Sequence, residues 1–150
     1  MEANMKKLSI KLGNALPTKE QLESFEDDNG ICLPDDFKSF LLEQNPVTVE
    51  EIYFHRCGNV YGVNGFYPFG KGDGLTLQRS YTNLKEFYGG NYIGFADDFG
   101  GWEYVLSLKE EDYGKVYFCR MDEEIEKALT LMADNVVDFI NGLTKEEELA

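Results

Sequence analysis

The run from Tyr92 to Leu108, YIGFADDFGGWEYVLSL, constrains the fold more than any other stretch of the chain. Its two ends, 92–96 and 102–108, have the aromatic and β-branched composition of strands, and only DDFGG separates them. A connection this short joins antiparallel neighbours. Alternation divides the second strand into two faces: Trp102, Tyr104, Leu106 and Leu108 on one, and Glu103, Val105 and Ser107 on the other.

Further strands extend this pattern on both sides. VYFCRM, residues 116–121, follows a polar turn and predicts a third strand, so the sheet is expected to be a meander. The segment 47–63 is rich in β-branched and aromatic residues and is broken at Gly58-Asn59, which indicates two short strands and a turn. Residues 65–74, GFYPFGKGDG, are expected to form a loop.

The N-terminal part of the chain predicts two helices. The first follows Pro17, because Thr18 and Gln21 have capping-box spacing and Gly30 supplies a left-handed end. The second lies in LPDDFKSFLLEQNP, residues 33–46. Proline suits its first turn, two aspartates then stand at the positive end of the helix dipole, and Asn45-Pro46 ends it.

Two more helices are expected later in the chain. A short one covers TNLKEFYGG, from Thr82 to Gly89, and the last covers ADNVVDFINGL, residues 133–143, with Gly142 capping its end. KEEELA, the last six residues, is expected to be a solvated tail. The predicted fold class is α+β: an antiparallel meander with two N-terminal helices and a C-terminal helix packed around it. The whole chain, 1–150, is expected to be one domain with its core in residues 15–143.

The net charge of the chain narrows the classes of molecule that it is expected to bind. The chain has 14 Lys and Arg against 28 Asp and Glu, a net charge of -14. Such a surface repels nucleic acid and anionic lipid and attracts basic proteins. No apolar run approaches a membrane-spanning length, the N-terminus lacks the apolar centre of a signal peptide, and the three cysteines do not suggest a disulfide scaffold. These features predict a cytoplasmic protein that binds neither nucleic acid nor membrane.

The acidic turn 97–101, DDFGG, admits three interpretations. A calcium or magnesium loop would need more converging oxygen ligands than Asp97, Asp98 and Glu103 supply. A catalytic acid pair would need carboxylates facing each other across a cleft, and adjacent aspartates point in different directions. A simple turn needs only Asp and Gly, and the exposed acids could still contact a partner.

Other chemistry finds little support in the sequence. GKGDG, residues 70–74, lacks the Lys-Ser/Thr ending of a phosphate loop, and one His with three scattered Cys shows no zinc-ligand spacing. The sequence therefore predicts no catalytic residue, no metal and no cofactor.

Four motifs together resemble one family. LPDDFKSFLLEQN, YIGFADDFGGWEYVLSL, VYFCRMDEE and ADNVVDFINGL occur in the order found in the SUKH superfamily, SMI–KNR type. The resemblance spans roughly residues 15–143, with two departures. Pro46 follows Asn45 where the family often has a glycine pair, and the segment 47–81 matches poorly.

The resemblance implies a binding module that needs neither catalysis nor a cofactor. Bacterial members of the family are largely immunity proteins that bind secreted polymorphic toxins, often nucleases. Eukaryotic relatives act as regulatory scaffolds, which is the alternative function.

For this chain we hypothesise that exposed acids near the sheet turns contact a basic toxin domain: Asp97, Asp98, Glu103, Asp122 and Glu123. Trp102 is expected either to pin the core beneath them or to be a binding hot spot, and its position favours the core.

Overall fold

The computed structural model describes residues 4–70 and 74–145. These residues contain five α-helices and ten strands. The helices are α1 Lys19–Asn29, α2 Asp35–Glu43, α3 Leu77–Tyr88, α4 Ile125–Ala128 and α5 Val136–Gly142. The strands are β1 Ile10–Gly13, β2 Pro46–Val49, β3 Tyr53–Arg56, β4 Asn59–Gly62, β5 Gly65–Phe66, β6 Tyr92–Asp97, β7 Glu103–Ser107, β8 Val116–Cys119, β9 Leu129–Ala133 and β10 Leu143–Thr144.

The strands form three antiparallel sheets. The largest has the order β5-β6-β7-β8-β9, so consecutive strands are neighbours and the predicted meander is confirmed. A smaller sheet has the order β10-β3-β4, and β1 pairs with β2. The fold class is α+β, as predicted.

Helices and loops cover both faces of the meander. On one face Tyr104 and Leu106 belong to the main core, which also contains the inward side chains of α2 and α5. On the other face Val105 and Cys119 pack with Leu84 of α3 in a second, smaller cluster. Every residue of β7 is therefore buried, and neither face of this strand meets solvent.

Local signals predicted the first two helices well. At α1, Thr18 Oγ1 accepts from the Gln21 N–H at 3.1 Å and Gln21 Oε1 accepts from the Thr18 N–H at 2.8 Å, which completes the capping box. Gly30 ends this helix with φ +65°. At α2, Pro34 precedes the first helical residue, and Phe37, Phe40 and Leu41 are buried.

The predicted start of the third helix at Thr82 was wrong. The helix begins at Leu77, because Thr76 is its cap and accepts from the Arg79 N–H at 3.3 Å.

 Thr82 lies inside the helix instead, where its hydroxyl donates to the Gln78 carbonyl at 3.1 Å. The longer helix is the element that covers the second face of the meander.

The predicted limits of the last helix were also wrong. Its first residue, Ala133, is the last of β9, and α5 starts only after Asn135, whose side chain accepts from the Asp138 N–H at 2.8 Å. Gly142 is not a left-handed cap. It stands beneath the Phe54 ring, where an added Cβ would lie 2.6 Å from the ring, and the chain continues into β10.

The middle of the chain partly follows expectation. The predicted strand pair with its turn at Gly58-Asn59 is β3 and β4, and an additional strand, β2, precedes it. The predicted loop 65–74 begins with β5, which pairs with β6. Residues 71–73 of GKGDG and residues 146–150 of the predicted tail lie outside the described residues.

Asn45 joins three separate segments at the end of α2. Its side-chain amide donates to the Ala15 carbonyl at 2.8 Å and to the Phe69 carbonyl at 3.0 Å, and its Oδ1 accepts from the Phe69 N–H at 2.8 Å. Its backbone carbonyl accepts from the Asn14 N–H at 3.1 Å. The residue is completely buried and has φ +41°, a conformation that asparagine tolerates better than most residues.

We expect Asn45→Ala to lower the free energy of unfolding by about 3 kcal/mol, because it leaves the buried N–H and carbonyl of Phe69 without their side-chain partner. Chemical denaturation measures this loss. Asn83→Ala, at an exposed position of α3, is the control and should change stability by less than about 0.5 kcal/mol. Equal stability of the two variants would contradict the role assigned to Asn45.

Candidate binding surface

Two turns meet at one end of the meander. The turn 98–102 joins β6 to β7, and the segment 120–128 joins β8 to β9. Asp97 pairs with Glu103 across the sheet, and Glu103 pairs with Cys119, so the two turns leave the sheet at the same end. Two strand spacings separate them, about 10 Å. The structure therefore places the predicted acidic residues of both turns on one side of the molecule.

Asp98 organises the first turn. Its carboxylate accepts from the Gly100 N–H at 3.0 Å and from the Trp102 N–H at 2.8 Å. Its own N–H donates to the Trp102 carbonyl at 2.8 Å, and Gly101 adopts φ +94°. In the structure DDFGG is thus a turn between two strands, and Asp98 is the residue that shapes it.

Asp97 and Trp102 are both half-buried. The Asn64 side-chain amide donates to Asp97 Oδ1 at 3.3 Å, while burial raises the pKa of the Asp97 carboxyl. Trp102 packs against the main core, with its ring edge-on to Phe118 at a centroid distance of 5.9 Å. Trp102 thus contacts the core, while the residue as a whole remains half-buried.

Glu103 is not an exposed acid, and the expectation that it was one is wrong. Only 7% of the residue is exposed. It lies on the face of β7 that α3 covers, where Ser80 Oγ donates to its Oε1 at 3.1 Å and the Tyr67 hydroxyl donates to its carboxylate. Gly94 on the neighbouring strand leaves the space for this cluster, since a side chain there would collide with Glu103 and Ser80.

Burial controls the ionisation of Glu103. Loss of hydration raises the pKa of its carboxyl to about 7, partly opposed by the hydrogen bonds from Ser80 and Tyr67. The nearby Asp97 charge raises it further. Sequence reasoning missed Tyr67 and Ser80 as partners of Glu103. A glycine in the middle of β6 was the available signal, because strand glycines often mark a close approach.

Asp122 and Glu123 are exposed, as expected. Glu123 forms an ion pair with Arg120, whose Nε lies 3.0 Å from Glu123 Oε2. The Glu123 carbonyl accepts from the Tyr88 hydroxyl at 3.0 Å, which ties this turn to the end of α3. Asp122 therefore offers the more available charge of the two.

A second acidic feature lies away from the sheet end. A groove of about 450 Å³ runs beside α2 and α5, and its carboxylates are those of Asp35, Asp36, Glu43 and Asp138. The Asp36 carboxylate accepts from the backbone N–H groups at Val136 and Val137, so it caps the start of α5. Burial nevertheless raises the pKa of the Asp36 carboxyl. The groove would attract a cationic group by simple electrostatics.

In residues 4–70 and 74–145, no three His, Cys, Asp or Glu side chains group in a way that could hold a metal ion. Within those ranges, no helix has both the length and the apolar character that crossing a membrane requires.

The acidic turns therefore lie together at one end of a helix-covered meander. A model of the SMI1 / KNR4 family (SUKH-1) matches residues 16–142, and the chain belongs to this family. Members of the family are generally immunity proteins for polymorphic toxins. The chain is also similar to the SPbeta prophage-derived uncharacterized protein YokK of Bacillus subtilis (strain 168), with 26% identity over 170 aligned positions. That alignment covers 97% of this chain and 85% of the relative.

The ionisation of Glu103 predicts a pH-dependent stability. The pKa of Glu103 is about 7 in the folded protein against 4.5 for the unperturbed group. Between these two pH values the folded state therefore binds more protons than the unfolded state. The free energy of unfolding should fall as pH rises through the window, by roughly 3 kcal/mol from this group. Glu103→Gln, which cannot ionise, should remove that part of the fall.

Thermal and chemical unfolding at pH 5 and pH 8 test this prediction. The stability of Glu103→Gln relative to the wild type should increase from pH 5 to pH 8. Glu110→Gln, at an exposed position, is the matched control and should show no such trend. The same stability difference for Glu103→Gln at both pH values would contradict a raised pKa.

Proposed function

We propose that the protein is an immunity protein that binds and neutralises a cognate polymorphic toxin through its acidic surface. The observation that carries this proposal is the SUKH-1 family match over residues 16–142. Within the family, such proteins act by binding and need no chemistry of their own. Accordingly, we propose no enzymatic activity and no cofactor for this chain.

Charge supports a basic protein as the partner. The net charge is -14, and residues 86–108 contain four carboxylates but no lysine or arginine. A nuclease toxin holds phosphates with cationic side chains, so an acidic surface would attract its active site and occlude it. The same charge disfavours nucleic acid and anionic membranes as partners. The proposed place of action is the cytoplasm, where a toxin-producing cell needs protection.

Asp97 and Asp98, with Asp122 and Glu123 on the adjacent turn, are the proposed electrostatic part of the contact surface. Asp98 has a double role, because its carboxylate shapes the turn and also adds an acidic group to this surface. Trp102, half-buried beside them, adds aromatic surface. Glu103 is removed from this set because it is buried.

Growth rescue tests the proposed function. The C-terminal domain encoded by a neighbouring large toxin gene is expressed in a sensitive host with and without this protein. We expect co-expression to restore growth and the two chains to co-purify. Absence of both rescue and complex would reject the immunity function and favour the regulatory scaffold, which needs no toxin.

Association kinetics test the acidic turn. Asp97→Asn/Asp98→Asn keeps the acceptor oxygens of the turn but removes two charges, so it should slow association at low salt about threefold or more. The salt dependence of the rate should weaken as well. Stopped-flow or surface-based kinetics with the purified toxin domain provide the measurement.

The control variant loses the same two negative charges at another place on the surface. Asp27→Asn/Asp28→Asn alters exposed positions of α1. It should slow association less than the turn variant does. Equal slowing would show that overall charge sets the rate, and would exclude these two turn aspartates from the contact surface.

A further inference from the structure

An aromatic side chain stands exposed at the tip of the acidic turn. Phe99 is 62% exposed, although phenylalanine is usually buried. It follows directly after Asp97 and Asp98 and precedes the glycine pair of the turn. The main core does not include it. The Phe99 side chain is therefore not part of the core and is accessible at the surface.

The turn holds Phe99 in a defined position. The Asp98 carboxylate binds the backbone N–H groups on the far side of Phe99, at Gly100 and Trp102. Trp102 is itself anchored against Phe118 of the core. An exposed ring on such a turn loses little conformational freedom when it binds, which favours high affinity.

The ring also has a fixed seat on a neighbouring sheet. A methyl group at Gly62 of β4 would lie 2.7 Å from the Phe99 ring, so the ring lies directly over this glycine. The Gly62 carbonyl accepts from the Tyr104 hydroxyl at 2.6 Å, which ties β4 to the meander beneath. Val60, two residues away on the same face of β4, is 43% exposed. Val60, Gly62 and Phe99 form what we call the Phe99 patch.

The surroundings of the Phe99 patch select a basic occupant. Asp97 and Asp98 adjoin the ring in the chain, and no lysine or arginine occurs between Lys85 and Lys109. An apolar centre with a charged rim is the usual arrangement of a binding hot spot. A complementary surface would offer an apolar pocket for one ring, bordered by lysine or arginine.

Phe87 provides a contrast within the same molecule. It is 71% exposed at the last turn of α3, so exposure alone does not distinguish it from Phe99. Its ring neighbour is Tyr88, at a centroid distance of 6.5 Å, and a lysine stands two residues before it. Phe87 thus has a mixed charge environment, whereas Phe99 has an acidic one.

We propose that Phe99, seated on Gly62 and flanked by Asp97 and Asp98, is the apolar anchor that enters a basic-rimmed pocket of the toxin domain. This inference rests on the proposed function and names the part of the surface that supplies most of the affinity. The aspartates then govern the rate of encounter, and the ring governs the lifetime of the complex. Gly62 is a positioning residue, because it determines where the ring lies.

Paired substitutions of the two exposed phenylalanines test the anchor. Phe99→Ala should weaken binding of the purified toxin domain about 30-fold or more, mainly through faster dissociation, because hot-spot side chains have effects of this size. Phe87→Ala, the matched control, should stay within about twofold of the wild type. Both variants should retain the wild-type melting temperature, because neither ring belongs to the core.

Gly62→Ala tests the seat without removing the ring. The added methyl group should displace Phe99 and weaken binding, while the protein stays folded because the displaced ring is exposed and lies outside the core. In Phe99→Ala the same glycine substitution should have little further effect. Independent, additive effects of the two changes would contradict a positioning role for Gly62.

The outcomes separate this inference from the proposed function. Rescue of growth by the wild type supports the function whatever the variants do. Rescue and affinity of Phe99→Ala equal to those of Phe87→Ala would overturn the anchor alone. Loss of binding in Asp35→Asn/Asp138→Asn, with Phe99→Ala unaffected, would overturn it in favour of the groove beside α2 and α5. Failure of the wild type to bind or rescue would overturn both.

Discussion

The fully bonded amide of Asn45 is the contact on which the arrangement of the other elements depends. One buried side chain satisfies the backbone at Ala15 and at Phe69, and so joins the N-terminal segment, the end of α2 and the approach to α3. Because this contact fixes the chain that leads into α3, it also positions the helix that covers the second face of the meander. An apolar residue at this position would fill the volume but would leave the peptide groups unpaired.

A second link connects the small sheet to the large one. The buried Tyr104 ring packs against Phe118 and Phe139, while its hydroxyl reaches the Gly62 carbonyl. The tip of the acidic turn and the β3–β4 hairpin are thereby held side by side. The exposed end of the meander is thus formed by two sheets, and the Tyr104 hydrogen bond and its aromatic cluster help to hold them together.

Local patterns predicted those parts of the fold that local contacts decide. The capping box at Thr18, the apolar stripe of α2 and the order of the meander strands needed only spacing and short connections. Glu103 could not be placed in the same way, because its burial depends on α3, which lies far from it in sequence. The helix cap predicted at Gly142 was wrong for a similar reason, since the Phe54 ring above this glycine comes from a distant strand. The family motif identified the acidic turn but not which of its side chains is exposed.

The tip of the turn is separate from the core, and this separation affects how such a protein can evolve. Phe99 and Val60 are exposed, while the bonds that shape the turn use the backbone and one aspartate. Substitutions at the tip therefore cost the fold little. A lineage could alter which molecule it recognises, one tip residue at a time, without first acquiring compensating changes in its interior.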